Sequence, residues 1–296
     1  MKKEDIILRS MMFVPTYKEK FLDNAINTNA DALILDIEDS VPAPFKEKGR
    51  KIIKKYLDKG KFKNIQTYIR LNPIESKLLF EDLEYVLHKD VDGFMLTKIY
   101  TADDMIYYDK LFSQLEYENN IEVGSFYFTP LIETTSAVMD VYNIAKATDR
   151  TVALTFGGED FLNDLVGLHG EPPRTFDYPR AAIATAARAA NILPIDTPYL
   201  AINDHEGFIE EETISFEMGF AGCLLLHPEQ IPLAHKCFTP KKEEVERSKK
   251  IVKAIEKANE EGSGVAVLDD GKMVGPPMRK RAEKVLEIME KINKIK

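Results

Sequence analysis

Glu133 and Asp160 each follow a short apolar, strand-like run: Phe126-Tyr-Phe-Thr-Pro-Leu-Ile-Glu133 and Val152-Ala-Leu-Thr-Phe-Gly-Gly-Glu-Asp160. A strand that delivers a carboxylate to the rim of a sheet can offer hard oxygen ligands to Mg²⁺. The pair Gly157-Gly158 lets backbone or ligand approach closely at that point. An ordinary strand running out into a polar loop ends the same way, so the meaning of these two acids depends on how the other strands end.

Eight strand-like runs are legible, at 10–14, 32–37, 67–71, 93–98, 125–132, 151–156, 197–202 and 221–226. They are nearly continuously apolar, as parallel strands buried on both faces must be. Helical patterns fill the gaps, among them 18–27, 45–57, 136–147, 178–191 and 206–218. Strand and helix alternating eight times predict an α/β fold, a (β/α)8 TIM barrel over residues 1–239. From Pro240 the character changes to a charged helix, a hairpin around Asp269-Asp270-Gly271 and a final amphipathic helix. Residues 240–296 are therefore expected to form a C-terminal helix–hairpin–helix appendage, packed on the barrel or on a neighbouring subunit.

Barrel active sites lie at the C-terminal ends of the strands. In this chain those ends carry Asp36, Glu38 and Asp39 after the second run, Arg70 and Asn72 at the third, Lys98 at the fourth, Glu133, then Glu159 and Asp160, then Asn203 and Asp204, and His227 after the eighth. Glu133 and Asp160 could each give one oxygen to Mg²⁺, leaving positions for water and a bidentate ligand such as a 2-oxo acid. Arg70 could grip a carboxylate as a fork, which lysine cannot do. Asp36, Glu38 and Asp39 could orient metal-bound water or Arg70, or could form salt bridges with nearby lysines. Lys98 could be a Schiff-base nucleophile if its pKa were lowered, or could pair with the rim carboxylates. His227 reads as a hydrogen-bonded structural histidine, and Lys18 and Lys20 could contact phosphates or sit on a solvated helix face.

Composition narrows the partners. With 40 basic and 49 acidic residues among 296, the formal charge of −9 argues against a broad nucleic-acid footprint. The two cysteines cannot build a disulfide framework or a zinc cluster, which fits a reducing, cytoplasmic setting. No apolar leader follows Met1 and no run of uncharged apolar residues is long enough to span a membrane, so no membrane partner is expected.

Taken in order, Arg9-Ser-Met-Met-Phe-Val-Pro15, Ala30-Asp-Ala-Leu-Ile-Leu-Asp-Ile-Glu-Asp-Ser-Val41, Ile69-Arg-Leu-Asn-Pro73, Asp92-Gly-Phe-Met-Leu-Thr-Lys98, Leu131-Ile-Glu-Thr134, Gly157-Gly-Glu-Asp160 and Gly219-Phe-Ala-Gly-Cys-Leu-Leu-Leu-His-Pro-Glu-Gln230 resemble the successive motifs of the citrate lyase β-subunit (CitE-like) family, which includes malyl-CoA and citramalyl-CoA lyases of the HpcH/HpaI aldolase superfamily. The resemblance runs from about residue 9 to residue 290. It implies a Mg²⁺-dependent barrel, commonly a homotrimer, that breaks or forms a carbon–carbon bond beside an acyl thioester. Glu133 and Asp160 then match metal ligands, and Arg70 matches the arginine that binds the oxo-acid carboxylate. The implied reaction splits a citramalyl, malyl or citryl thioester, carried on CoA or on an acyl carrier protein, into an acyl thioester and a 2-oxo acid.

Two departures qualify the resemblance. In the lyases that use CoA the hairpin reads like Gly-Lys-Met-Ile-Asp-x-Pro, and its aspartate, reaching in from a neighbouring subunit, moves the proton at the thioester α-carbon. Here the run is Gly271-Lys-Met-Val-Gly-Pro-Pro277, with Gly275 at the aspartate position. After the first strand, Pro15-Thr-Tyr-Lys-Glu-Lys20 replaces the family's small Pro-Gly or Pro-Ala step. A free-standing lyase with altered chemistry, a β-subunit working with a carrier protein, and an oxo-acid binder without turnover are the resulting alternatives.

Overall fold

The computed structural model describes residues 3–170 and 174–295. Eight parallel strands close into one barrel in chain order: β1 (Ser10–Pro15), β2 (Ala32–Asp36), β3 (Gln66–Arg70), β4 (Gly93–Leu96), β5 (Tyr127–Ile132), β6 (Ala153–Phe156), β7 (Leu193–Asp196) and β8 (Gly222–Leu225), with β8 pairing back onto β1. The fold is the (β/α)8 barrel that the eight apolar runs predict. On β2, Leu33 and Leu35 join the apolar layer that also contains Ile52, Ile53 and Tyr56 of the following helix. Ala32, Ile34 and Asp36 alternate with them, as the pleat requires, and point into the barrel. That alternation puts a carboxylate at the upper end of an otherwise apolar strand.

The seventh strand lies elsewhere than predicted. The run 197–202 is irregular, and β7 is Leu193-Pro-Ile-Asp196, a sequence that looks like a turn because it holds a proline and an acid. Tertiary contacts override that local signal. The Pro194 carbonyl accepts the Ala221 amide at 2.9 Å, and Asp196 is buried against the Arg180 Nε at 2.9 Å, with further bonds from Thr197 and Ser215. The strand end is thus Asp196-Thr197 rather than Asn203-Asp204; Asp204 instead caps the helix His205–Met218, accepting the Gly207 amide at 3.0 Å.

Leu8–Phe238 forms one compact unit, and the described residues of Lys2–Ile7 and Thr239–Lys296 form a second. The N-terminal residues, counted with the barrel in the sequence reading, belong to the second unit; a short 3-10 turn at Lys3–Asp5 carries no periodicity that could have revealed this. Within this unit, helices Lys242–Glu260 and Pro276–Ile295 flank a two-stranded hairpin, β9 (Ala266–Val267) and β10 (Met273–Val274). A Cβ placed on Gly275, just after β10, would meet only the Val265 Cγ1 at 3.5 Å, so neither packing nor backbone geometry demands glycine there. No helix among the described residues is long and apolar enough to cross a membrane.

Buried arginines tie helices to the barrel. Arg150 grips Glu116 of helix Ala102–Glu118 through two bonds, Nη1–Oε1 at 2.8 Å and Nη2–Oε2 at 2.6 Å, with both side chains almost wholly out of water. Removing one partner of such a pair strands the other charge, so Glu116→Ala is expected to cost roughly 3–5 kcal/mol. Glu47→Ala, which breaks only a surface pair with Lys51, is expected to leave the urea midpoint nearly unchanged. Urea unfolding of the two variants beside the wild type checks the contrast.

Candidate active site

β2 and β3 are in register with Asp36 opposite Arg70. The fully buried Asp36 accepts Nε at 2.8 Å and Nη2 at 2.6 Å, so the guanidinium is held along one edge as a fork. Burial alone would raise the Asp36 pKa, but Arg70, Ser40 and the Glu38 amide outweigh it and hold this carboxylate below its usual range. The Phe13 ring lies under the guanidinium at 4.6 Å and fixes its plane. Nη1, which Asp36 does not hold, pairs with Glu38 Oε2 at 3.1 Å.

Glu38 differs from Asp36. It is 7% exposed, its Oε2 accepts the Asp39 amide at 3.1 Å, and among the described residues its Oε1 has no hydrogen-bond partner. Burial, with the neighbouring Asp39 and Asp36 carboxylates, pushes this carboxyl up to about 7 against the pull of Arg70. Its backbone is braced by Lys46, whose Nζ donates to the Ile37 carbonyl at 2.9 Å, the Glu38 carbonyl at 3.0 Å and Asn72 Oδ1 at 2.7 Å. Asn72 in turn donates to Asp82, which Arg50 holds at 2.7 Å. Lys46 and Phe13 escaped the sequence reading because one looks like a helix-surface lysine and the other like a core residue. Only the contacts reveal their part.

Glu133 follows β5 directly and is 2% exposed. Asp160 lies in the first turn of helix Gly158–Leu165, after β6, which pairs with β5. A Cβ on Gly157 would come within 2.6 Å of the Glu133 Cβ, so a glycine is what lets the two strand ends lie this close. Lys98 bridges the acids: its Nζ is 2.7 Å from Asp160 Oδ1 and 3.4 Å from Glu133 Oε1. Its backbone sits in the left-handed region at φ 51°, aiming its N–H at Glu133 Oε1 over 2.7 Å. Burial works to lower the Lys98 pKa, but Asp160 and Glu133 win and raise it, so the group is a fixed ammonium and no Schiff-base nucleophile. Glu133 goes the other way: burial raises its pKa more than Lys98 lowers it. Two carboxylates thus converge on one cationic centre. Among the described residues, no cluster of three or more His, Cys, Asp or Glu side chains suited to a metal occurs.

The sequence profile of HpcH/HpaI aldolase/citrate lyase matches residues 9–228. The chain belongs to this family. It is 33% identical over 279 residues to the citrate lyase subunit beta of Haemophilus influenzae, covering 94% of this chain and 96% of that one. It is 26% identical over 300 residues to the mitochondrial citramalyl-CoA lyase of Homo sapiens, covering 96% and 86% of the two chains. Among solved structures, CitE of Mycobacterium tuberculosis in complex with magnesium, acetoacetate and coenzyme A superposes with a TM-score of 0.74 at 26% identity, over 95% of this chain and 97% of that one. As a member of this HpcH/HpaI family with lyases among its relatives, the chain is a carbon–carbon lyase of the citrate lyase β-subunit type.

Within this family member, the remaining predicted residues are placed as follows. Lys18 precedes helix Glu19–Ile26 with its Nζ 5.1 Å from the Tyr17 ring and 5.4 Å from the Phe21 ring, and Lys20 is exposed in the first turn of that helix. His227 Nδ1 accepts the Glu229 amide at 3.3 Å and caps the short 3-10 helix Pro228–Gln230, a structural role.

The Glu38 carboxyl has a measurable signature. Because the folded state binds this proton more tightly than an unfolded glutamate does, its contribution to stability is present at low pH and is lost as pH rises from 4.5 through about 7. Glu38→Gln is expected to remove that slope, so that the wild type loses roughly 1–3 kcal/mol relative to the variant between mildly acidic and mildly alkaline pH. Urea unfolding of both proteins at the two pH values measures it.

Proposed function

We propose that this enzyme is a Mg²⁺-dependent lyase that splits a 3-hydroxy-acyl thioester of the citramalyl, malyl or citryl kind into an acyl thioester and a 2-oxo acid. The observation that carries the reading is the pairing, at one end of the barrel, of a fork-held Arg70 with two carboxylates that converge on a single cation. Lys98 Nζ, in reach of both Glu133 and Asp160, marks where a positive charge is stabilised by hard oxygens, and that donor set suits Mg²⁺. Glu133 and Asp160 would hold the ion, which supplies Lewis-acid stabilisation of oxygens that become negative.

The chain's own groups do the rest. Arg70 binds the oxo-acid carboxylate through Nη1, the end that Asp36 does not hold and that lies beside Glu38, while Asp36 and Phe13 keep the guanidinium from turning. Pre-set positive charge of this kind stabilises the developing enolate and costs no reorganisation during the reaction. A free-standing homotrimer acting on a CoA thioester is the form we favour; a β-subunit served by an acyl carrier protein is the alternative within the same chemistry. Gly275 favours a second reading, an oxo-acid binder without turnover, and the open space at that position makes Gly275→Asp the discriminating variant.

Purified protein is expected to cleave at least one of citramalyl-CoA, malyl-CoA or citryl thioester only with Mg²⁺ present. Glu133→Gln and Asp160→Asn should each weaken Mg²⁺ binding at least ~10-fold in calorimetry. Arg70→Lys should raise KM for the thioester by roughly 10-fold or more, since lysine cannot reproduce the fork. Absence of both Mg²⁺ and pyruvate binding would sink the proposal. Cleavage gained only in Gly275→Asp would favour the binder reading.

A further inference from the structure

Carbon–carbon cleavage of a 3-hydroxy-acyl thioester moves one proton. The hydroxyl O–H bond breaks as the carbonyl of the oxo acid forms, and the electron pair of the broken C–C bond passes to the thioester α-carbon, which then takes up a proton. The hairpin run Gly271-Lys-Met-Val-Gly-Pro-Pro277 carries no acid, and nothing in the local packing calls for glycine at Gly275. Some other group must carry the proton if the chain turns over.

The rim acids can be sorted by what they already hold. Asp36 has both oxygens committed to Arg70, and it also takes the Glu38 and Ser40 amides. Glu133 and Asp160 are tied to Lys98, and Glu159 pairs with His169 at 3.0 Å. Asp39 is exposed to water. Among these described rim acids, Glu38 alone combines near-complete burial, a seat 3.1 Å from the arginine that would grip the substrate, and an oxygen without a hydrogen-bond partner among the described residues.

We propose that Glu38 is the proton carrier of this enzyme, taking the substrate hydroxyl proton as the C–C bond breaks and returning the same proton to the thioester α-carbon. The cycle balances without a further reactant: one O–H and one C–C bond break, one C=O π bond and one C–H bond form, and Glu38 ends as the carboxylate it began as. The groups facing it fit this use. Asp36 from β2 and Asp39 from the same loop repel its negative form, Arg70 from β3 attracts it, and Lys46 grips its carbonyl from the following helix. Held close to neutrality by this balance, the carboxyl can both take and give a proton near pH 7. The inference rests on the lyase reading above and adds to it the residue that moves the proton.

Three readouts on the full-length protein test it: kcat for the thioester that the wild type cleaves, deuterium incorporation at the α-carbon of the product acyl-CoA in D2O with Mg²⁺, followed by NMR, and pyruvate affinity by calorimetry. Glu38→Gln, nearly isosteric, is expected to lower kcat and deuterium incorporation together by ~100-fold or more, to abolish the pH limb near 7, and to leave pyruvate affinity within about 3-fold. Glu38→Asp should recover part of both rates. Unchanged exchange and turnover in Glu38→Gln, with an active wild type, would overturn this proposal and leave the lyase reading standing. A pyruvate affinity that falls by the same factor as kcat would also overturn it, since Glu38 would then only anchor Arg70. A wild type that binds Mg²⁺ and pyruvate but neither cleaves nor exchanges would remove the lyase reading and this one together.

Discussion

A single guanidinium sets the chemistry of one half of the barrel mouth. Arg70 is nearly out of water, and a charge in that position is tolerable only because Asp36, opposite it across the β2–β3 ladder, takes two of its N–H groups in a planar fork. The pair in turn orders what surrounds it. Asp36 also accepts the Glu38 and Ser40 amides, so the loop after β2 is drawn over the arginine, and Glu38 is carried into a position it would not occupy as a free surface acid. Lys46, Asn72, Asp82 and Arg50 extend the network outward to the helices.

The other half of the mouth uses the opposite arrangement. There two acids share one ammonium, and the strain of a left-handed Lys98 backbone is offset by the bond from its N–H to Glu133. One side of the site is thus a cation with anionic supports, and the other is an anionic pair with a cationic occupant. In the proposed function, a substrate with a carboxylate and a metal-binding oxygen would meet both, the fork and the acid pair lying on consecutive strands.

Much of this was legible in the chain. Eight apolar runs separated by helical patterns led to the closed barrel, and the polar residues at their ends led to Arg70, Glu133 and Asp160. β7 was misplaced because Pro194 and Asp196 look like a turn until Arg180 is brought against the acid. The Schiff-base alternative for Lys98 fell for a similar reason: whether a lysine is neutral depends on the carboxylates that surround it, and these come from strands distant in sequence.

By itself, the sequence determined which residues reach the mouth of the barrel at every strand but the seventh, because strand periodicity and the polarity of strand ends are local properties of the chain. It also determined the departure at Gly275. Tertiary structure alone decided what each of those residues does there. Asp36 and Glu38 lie two positions apart and look equivalent in sequence, yet one is locked as a carboxylate and the other is held near neutrality, because burial and the distance to Arg70 act across neighbouring strands and leave no mark on sequence pattern.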